Sequence, residues 1–271
     1  MKILKEIPYR QGDKALRESV GQSGLCDLFI PDVKVAGNVV ALVIHGGGWS
    51  SMAKENTEGI ALWLCEELGL PVCNTNYRLC GDAPWPACGE DCLAAARFTL
   101  ETPEFAKEDN NARRRLIVIG GSSGGHLALC TGLRLPPEQI VCVISISGIA
   151  DLPSDMEFNS QRYQRLFSHL PSEAELHAAA PATYLLPNSP PILCTHDWND
   201  NVVPIRSAQL FLDAVHRNGT IGKSYFYAKP ETGYSHRIWI PDSSPHKLYP
   251  DIENAISAFI QECLKRECQK G

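Results

Sequence analysis

Short, continuously apolar runs alternate along this chain with longer segments whose apolar residues fall at helical spacing, and that alternation most constrains the fold. Val39 to Ile44 reads Val-Val-Ala-Leu-Val-Ile, with no polar residue for solvent to reach on either face. A strand of that kind must be covered on both sides, as in a parallel sheet sandwiched by helices. Comparable runs are predicted as strands at 72–76, 116–119, 140–146, 192–195 and 224–228. Helices are predicted between them over 57–68, 88–100, 126–133 and 205–217, with a last one over 252–264. In that last segment Ile252, Ile256, Phe259, Ile260, Cys263 and Leu264 make one stripe. Such alternation predicts a mostly parallel central sheet with helices on both faces, and functional residues in the turns at the carboxyl ends of the strands. At 271 residues the chain fits one such domain, 1–271. The stretch 151–187 departs from the pattern, with Tyr163, Leu166, Phe167 and Leu170 on short helical pieces, and is expected to be a small cap inserted over one edge of the sheet.

Charge and cysteine usage exclude several functions. The net charge of −6 provides no clustered basic excess, so no nucleic-acid partner is expected. Arg113-Arg114-Arg115, the only basic run, is read as a solvated loop. No apolar run reaches the ~20 residues that span a bilayer, and the charged start Met1-Lys2-Ile3-Leu4-Lys5-Glu6 is unlike a secretory leader, so no membrane partner is expected and the chain reads as cytoplasmic. The 11 cysteines form no C-x-x-C pair, and Cys88 with Cys92 has no matching His/Cys pair nearby. They are expected to be reduced core residues, with no metal site and no organic cofactor.

Four clusters carry chemistry. The loop Gly120-Gly121-Ser122-Ser123-Gly124-Gly125 follows a strand and precedes a helix, the context that a G-x-S-x-G nucleophile turn requires. Read as Gly121-x-Ser123-x-Gly125, it makes Ser123 the candidate nucleophile, with Ser122 the competing serine. Neither a P-loop lysine nor a dinucleotide G-x-G-x-x-G is present there. His45-Gly46-Gly47-Gly48-Trp49 follows another strand, and its glycines leave backbone N–H groups free to face an oxyanion. A nucleophilic serine needs a base and an orienting carboxylate. Asp197 and Asp200 lie in the loop after 192–195, and Gly233-Tyr234-Ser235-His236 lies ahead of the last helix. The chain order Ser123, Asp200, His236 is that of α/β-hydrolases. Asp197 remains the alternative acid and His246 the rival base, while His45 and His196 read as structural members of their turns.

These motifs, with Asn76-Tyr77-Arg78-Leu79, Pro84-Trp85-Pro86-Ala87, Asp91, Ala180 to Leu185 and Asp200-x-x-Val203-Pro204, resemble the α/β-hydrolase esterases of the hormone-sensitive-lipase and BD-FAE-like groups over nearly the whole chain. The resemblance implies an α/β-hydrolase fold and a serine carboxylesterase acting on short-chain, acetyl-like esters of small molecules. It implies Ser123 as nucleophile, His236 as base and Asp200 as its carboxylate, with Gly47, Gly48 and Gly124 giving oxyanion N–H groups. Arg78 and Asp91 become scaffold residues. The acid loop departs from the groups' usual His-Gly by reading His196-Asp197, and the short stretch before His45 implies an open site. Kynurenine formamidases share the fold and make formamide hydrolysis the alternative; a non-catalytic ligand-binding protein is the remaining one.

Overall fold

The computed structural model describes residues 1–10, 21–33, 38–106, 113–229, 236 and 238–268. Eight strands form one sheet: β1 (Lys2–Pro8), β2 (Leu25–Ile30), β3 (Val39–Ile44), β4 (Val72–Thr75), β5 (Arg115–Gly121), β6 (Ile140–Ile146), β7 (Ile192–Asp197) and β8 (Gly222–Tyr227). Their spatial order is β1-β2-β4-β3-β5-β6-β7-β8. β1 and β2 run antiparallel to their neighbours, and β4-β3-β5-β6-β7-β8 are parallel. The six predicted strands all form. The two antiparallel ones were not anticipated, because β1 is a charged edge strand and β2 is interrupted by Asp27. Asp27 is buried there beside the ammonium groups of Lys5 (3.0 Å) and Lys54 (3.2 Å).

Alternation along the strands fills two cores. Leu42, Val118, Val143 and Cys194 face α2 (Ala87–Glu101), α3 (Ser123–Arg134) and α7 (Arg206–Arg217). Val43, Ile117, Ile144 and Leu193 face α1 (Glu58–Glu66) and α8 (Pro250–Cys268). The predicted stripe from Ile252 to Cys263 is buried in this second core, with Leu264 packed at its margin. Arg113-Arg114-Arg115 is not simply a solvated loop: Arg114 donates to the Leu100 and Thr102 carbonyls at the end of α2, and Arg115 opens β5.

The stretch 151–187 contains α4 (Leu152–Phe158), α5 (Ser160–Phe167), α6 (Glu173–Ala179) and a 3-10 turn, Pro181–Tyr184. Tyr163, Leu166 and Phe167 are buried in the first core, whereas Leu170 is exposed. Strand order reverses at β3, whose neighbours are β4 on one side and β5 on the other. Loops leaving β3 and β5 at their carboxyl ends therefore diverge and leave a crevice between them, the usual ligand position in such sheets.

Candidate active site

The turn after β5 is the sharpest feature of the backbone. Ser122 sits at φ 57°, ψ −125°, in the left-handed half of the map, where a residue with a side chain is strained by about 1–3 kcal/mol. Its N–H donates to the Ile146 carbonyl (2.9 Å), and its own carbonyl accepts from Gly125 N–H (2.9 Å) and Ile149 N–H (3.3 Å), so the strained residue is anchored from β6 and from the helix. The turn can close only because the residues two before and two after Ser122 are glycines. A Cβ on Gly120 would lie 2.2 Å from the Gly124 oxygen, and one on Gly124 would lie 2.4 Å from the carbonyl oxygens of both Ile44 and His45. A Cβ on Gly121 would find nothing closer than Ile238 Cδ1 at 3.5 Å. A Cβ on Gly125 would also be crowded, 2.7 Å from Gly148 Cα. In the frame Gly121-x-Ser123-x-Gly125 one of the two glycines is therefore not required, whereas both are in Gly120-x-Ser122-x-Gly124; with the positive φ at Ser122, the latter is the motif's register.

That register corrects the expectation for Ser123. Ser123 is the first residue of α3 and is wholly buried, its Oγ accepting from the Trp49 N–H at 3.2 Å. Ser122, by contrast, lines a cleft of about 370 Å³ with Gly46, Gly47, Gly48 and His236. Neither Ser123 nor Gly124 lines it. Both registers satisfy G-x-S-x-G in the sequence, and what separates them is where the strand ends. β5 runs to Gly121, which leaves Ser122 as the corner.

The 45–49 loop packs directly on this corner: a Cβ on Gly46 would meet Gly121 O at 2.9 Å and Ser122 Cβ at 3.1 Å. Gly47 and Gly48 adopt φ +100° and +59°, and the Gly47 carbonyl is turned back to accept from Ser50 and Ser51 N–H at 3.1 Å. Tyr77, buried under the loop, stacks on His45 at 4.1 Å and donates toward the His45 and Gly46 carbonyls at 3.1 Å. At α3 the N–H groups of Ser123 and Gly124 occupy the first helical turn, where no intrahelical acceptor exists and the helix dipole is positive.

Asp200 and His236 meet in the loops after β7 and β8. His236 Nδ1 lies 2.6 Å from Asp200 Oδ2, while Oδ1 accepts from the Val202 and Val203 N–H groups at 2.9 Å each. Burial by itself would raise the Asp200 carboxyl's pKa, but the contacts with His196 and His236 and the Val203 N–H outweigh it and hold the group well below the usual carboxylate range. Asp197 is committed elsewhere, accepting from Asn199 N–H (2.9 Å) and Lys229 N–H (3.3 Å). This is what an aspartate does at the place where a glycine was expected: it holds the turn to the end of β8. His246 stacks on Trp239 at 5.7 Å, and the second imidazole at Asp200 is His196, whose Nε2 lies 3.4 Å from Oδ2 and 2.8 Å from the Val203 carbonyl. Gly233, Tyr234 and Ser235, read with His236 as one motif, lie outside the described residues.

Other predicted residues hold the scaffold. Arg78 grips buried Asp91 with Nε and Nη2 at 2.8 Å, and Arg10 joins the same carboxylate, tying the exit of β4 to α2. Glu6, Asp27 and Glu55 are the one group of carboxylates among the described residues close enough to share a metal ion. Lys54 already supplies a cation there, with Nζ at 2.5 Å from both Glu6 and Glu55. Sequence reasoning missed Asn159, Arg162 and Arg165, which bring polar rather than aromatic groups from the 151–187 segment to the cleft.

A strained serine corner after the central strand, an Asp–His pair on the neighbouring loops and a glycine loop against the corner define an α/β-hydrolase fold with a candidate site at the carboxyl edge of the sheet. The BD-FAE family model matches residues 26–215, most of the chain, and the protein belongs to that family. The chain is 32% identical over 110 residues to the versiconal hemiacetal acetate esterase stcI of Emericella nidulans, covering 41% of this chain and 35% of the relative. It thus spans about a third of that protein's length. Among solved structures it superposes on a truncated carbohydrate esterase from gut microbiota with TM-score 0.74 at 19% identity, over 97% of this chain and 96% of the other. Esterase B from Lactobacillus rhamnosis gives TM-score 0.74 at 18% identity, over 99% and 88% of the two chains. No helix among the described residues is long and apolar enough to cross a membrane.

Proposed function

We propose that this protein is a serine carboxylesterase that cleaves short-chain esters of small molecules through an acyl-enzyme. Ser122 is the nucleophile, His236 the base and Asp200 the carboxylate that orients it. The observation that carries this reading is the strained Ser122 corner opening on the cleft that His236 also lines, with His236 held by Asp200 at 2.6 Å. Because Nδ1 faces a carboxylate, its proton is fixed there and Nε2 is left as the basic nitrogen.

In the first half-reaction His236 Nε2 takes the Ser122 hydroxyl proton as Oγ attacks the ester carbonyl. Charge builds on the carbonyl oxygen, and the N–H groups of Gly47, Gly48 and Ser123 receive it in this reading; Ser123, as the residue after the nucleophile, takes the role first expected of Gly124. The imidazolium then hands its proton to the departing alkoxide. Water repeats the sequence on the acyl-enzyme and frees the acid and Ser122. The cleft volume of about 370 Å³ and the polar side chains at its rim favour small acyl groups over long alkyl chains. Ten described cysteines are free thiols, nine of them buried, in keeping with a reducing, cytoplasmic setting.

The test is hydrolysis of p-nitrophenyl acetate, butyrate and octanoate by the wild type and by Ser122→Ala. Rates that fall with chain length and vanish in the variant support the reading. Ester cleavage that survives Ser122→Ala refutes the nucleophile, and release of kynurenine from N-formylkynurenine faster than any ester is cleaved replaces the ester with the formamide.

A further inference from the structure

The charge of the cleft is opposite to that of the protein. The chain carries a net −6, yet among the described residues no aspartate or glutamate lines the cleft, and two arginines do, Arg162 and Arg165. They sit at i and i+3 on α5 and so present their side chains on one face. Arg162 is nearly buried and fixed: Nη1 holds both oxygens of Asp155 at 3.1 and 3.2 Å, and Nη2 donates to the Val202 carbonyl at 2.7 Å. Tyr163 donates to the same Asp155 at 2.9 Å. The Asp155 charge therefore answers Arg162. Arg165 is exposed and makes no hydrogen bond or ion pair among the described residues, so its positive charge is uncompensated at the rim. Asn159, immediately before α5, adds an amide to the same wall.

We infer that this wall selects esters that carry a carboxylate: Arg165 pairs with the anion, Asn159 hydrogen-bonds it, and the Arg162–Asp155 pair fixes the helix that presents them. The substrate class is then a hemiester of a small dicarboxylic acid or an ester of a hydroxy acid. This rests on the Ser122-dependent hydrolysis proposed above. Planar guanidinium groups suit carboxylate forks, and a cation with no ion-pair partner at the rim of a cleft raises the local concentration of anionic ligands.

Two matched pairs of esters place the anion on either side of the scissile bond. Mono-p-nitrophenyl succinate against its methyl-capped neutral form tests the acyl side. Para-acetoxybenzoate against its methyl ester tests the alcohol side. In at least one pair the anion is favoured in kcat/KM by about fivefold, the size expected of one exposed ion pair. The difference lies in KM, shrinks as sodium chloride is raised, collapses in Arg165→Gln and is kept in Arg165→Lys. Preference for the neutral ester in both pairs, or a preference for the anion that Arg165→Gln leaves intact, overturns the inference. Calorimetric titration of the same four esters into Ser122→Ala ranks their binding without turnover, so a failure of ester hydrolysis and a failure of charge selection are read separately.

Discussion

Two buried imidazoles outside the Asp200–His236 pair set an acid limit on the fold. His45 and His126 are both essentially without solvent contact, and burial lowers each from the ordinary 6.5 to about 4. Each is held in one tautomer, His45 by Nδ1 to the Gly46 carbonyl at 2.8 Å and His126 by Nε2 to the Ala179 carbonyl at 2.9 Å. Between pH 6.5 and about 4 the unfolded chain binds protons that the native one refuses, so stability is full above 6.5 and falls as pH drops through that window. A shift of about 2.5 units is worth about 3 kcal/mol per histidine, and the pair costs up to about 6 kcal/mol by pH 4, comparable with the whole stability of many domains. Asp200 has the opposite chemistry: its carboxyl is depressed, so its contribution is lost only below the unfolded carboxylate value near 3.9, beneath this window. Asp155, raised by burial, adds a slope of opposite sign that every variant shares. Urea unfolding at constant ionic strength from pH 4.5 to 7 measures the effect. His126→Gln keeps a donor for Ala179 without a titrating group, and its slope of stability against pH should be about half that of the wild type. A variant slope equal to the wild-type slope would mean that His126 does not titrate with unfolding.

Asp200→Asn should lower kcat by about four orders of magnitude, because an amide fixes the wrong imidazole tautomer. Asp197→Asn should leave kcat within about twofold and cost about 1 kcal/mol of stability, since it loses only the charge on two backbone hydrogen bonds; the reverse ranking in steady-state kinetics makes Asp197 the acid. Gly124→Ala should destabilise by about 2–4 kcal/mol in urea melts while Gly121→Ala costs under about 1, because only the former drives a Cβ onto two carbonyl oxygens at 2.4 Å. Equal losses would mean that the turn does not depend on the register assigned to it.

The parallel half of the sheet was legible in the sequence because burial on both faces writes a strand as an unbroken apolar run, as at Val39–Ile44 and Ile140–Ile146. β1 and β2 were not, since an edge strand carries Lys and Glu, and the acid in β2 is compensated by Lys54, 27 residues further on. The pairing of Asp200 with His236 could be read from their places after consecutive strands. The serine could not be fixed by pattern alone, because two overlapping frames offer a glycine on each side. What separates them is physical: the open space at Gly121, against the crowding at both Gly120 and Gly124, and the positive φ at Ser122. Arg162 and Arg165 were invisible for another reason. Polar residues on a short amphipathic helix look alike whether they face solvent or a cleft, and only the packing of Tyr163, Leu166 and Phe167 into the core turns the other face toward the site.

The most direct measurement is the position of covalent labelling by a phosphonate ester, read by fragment mass spectrometry of the peptide that carries the glycine-rich turn. A Ser122 nucleophile predicts one adduct on that residue, lost in Ser122→Ala and retained in Ser123→Ala. An adduct on Ser123, or labelling and turnover that persist without Ser122, would contradict it.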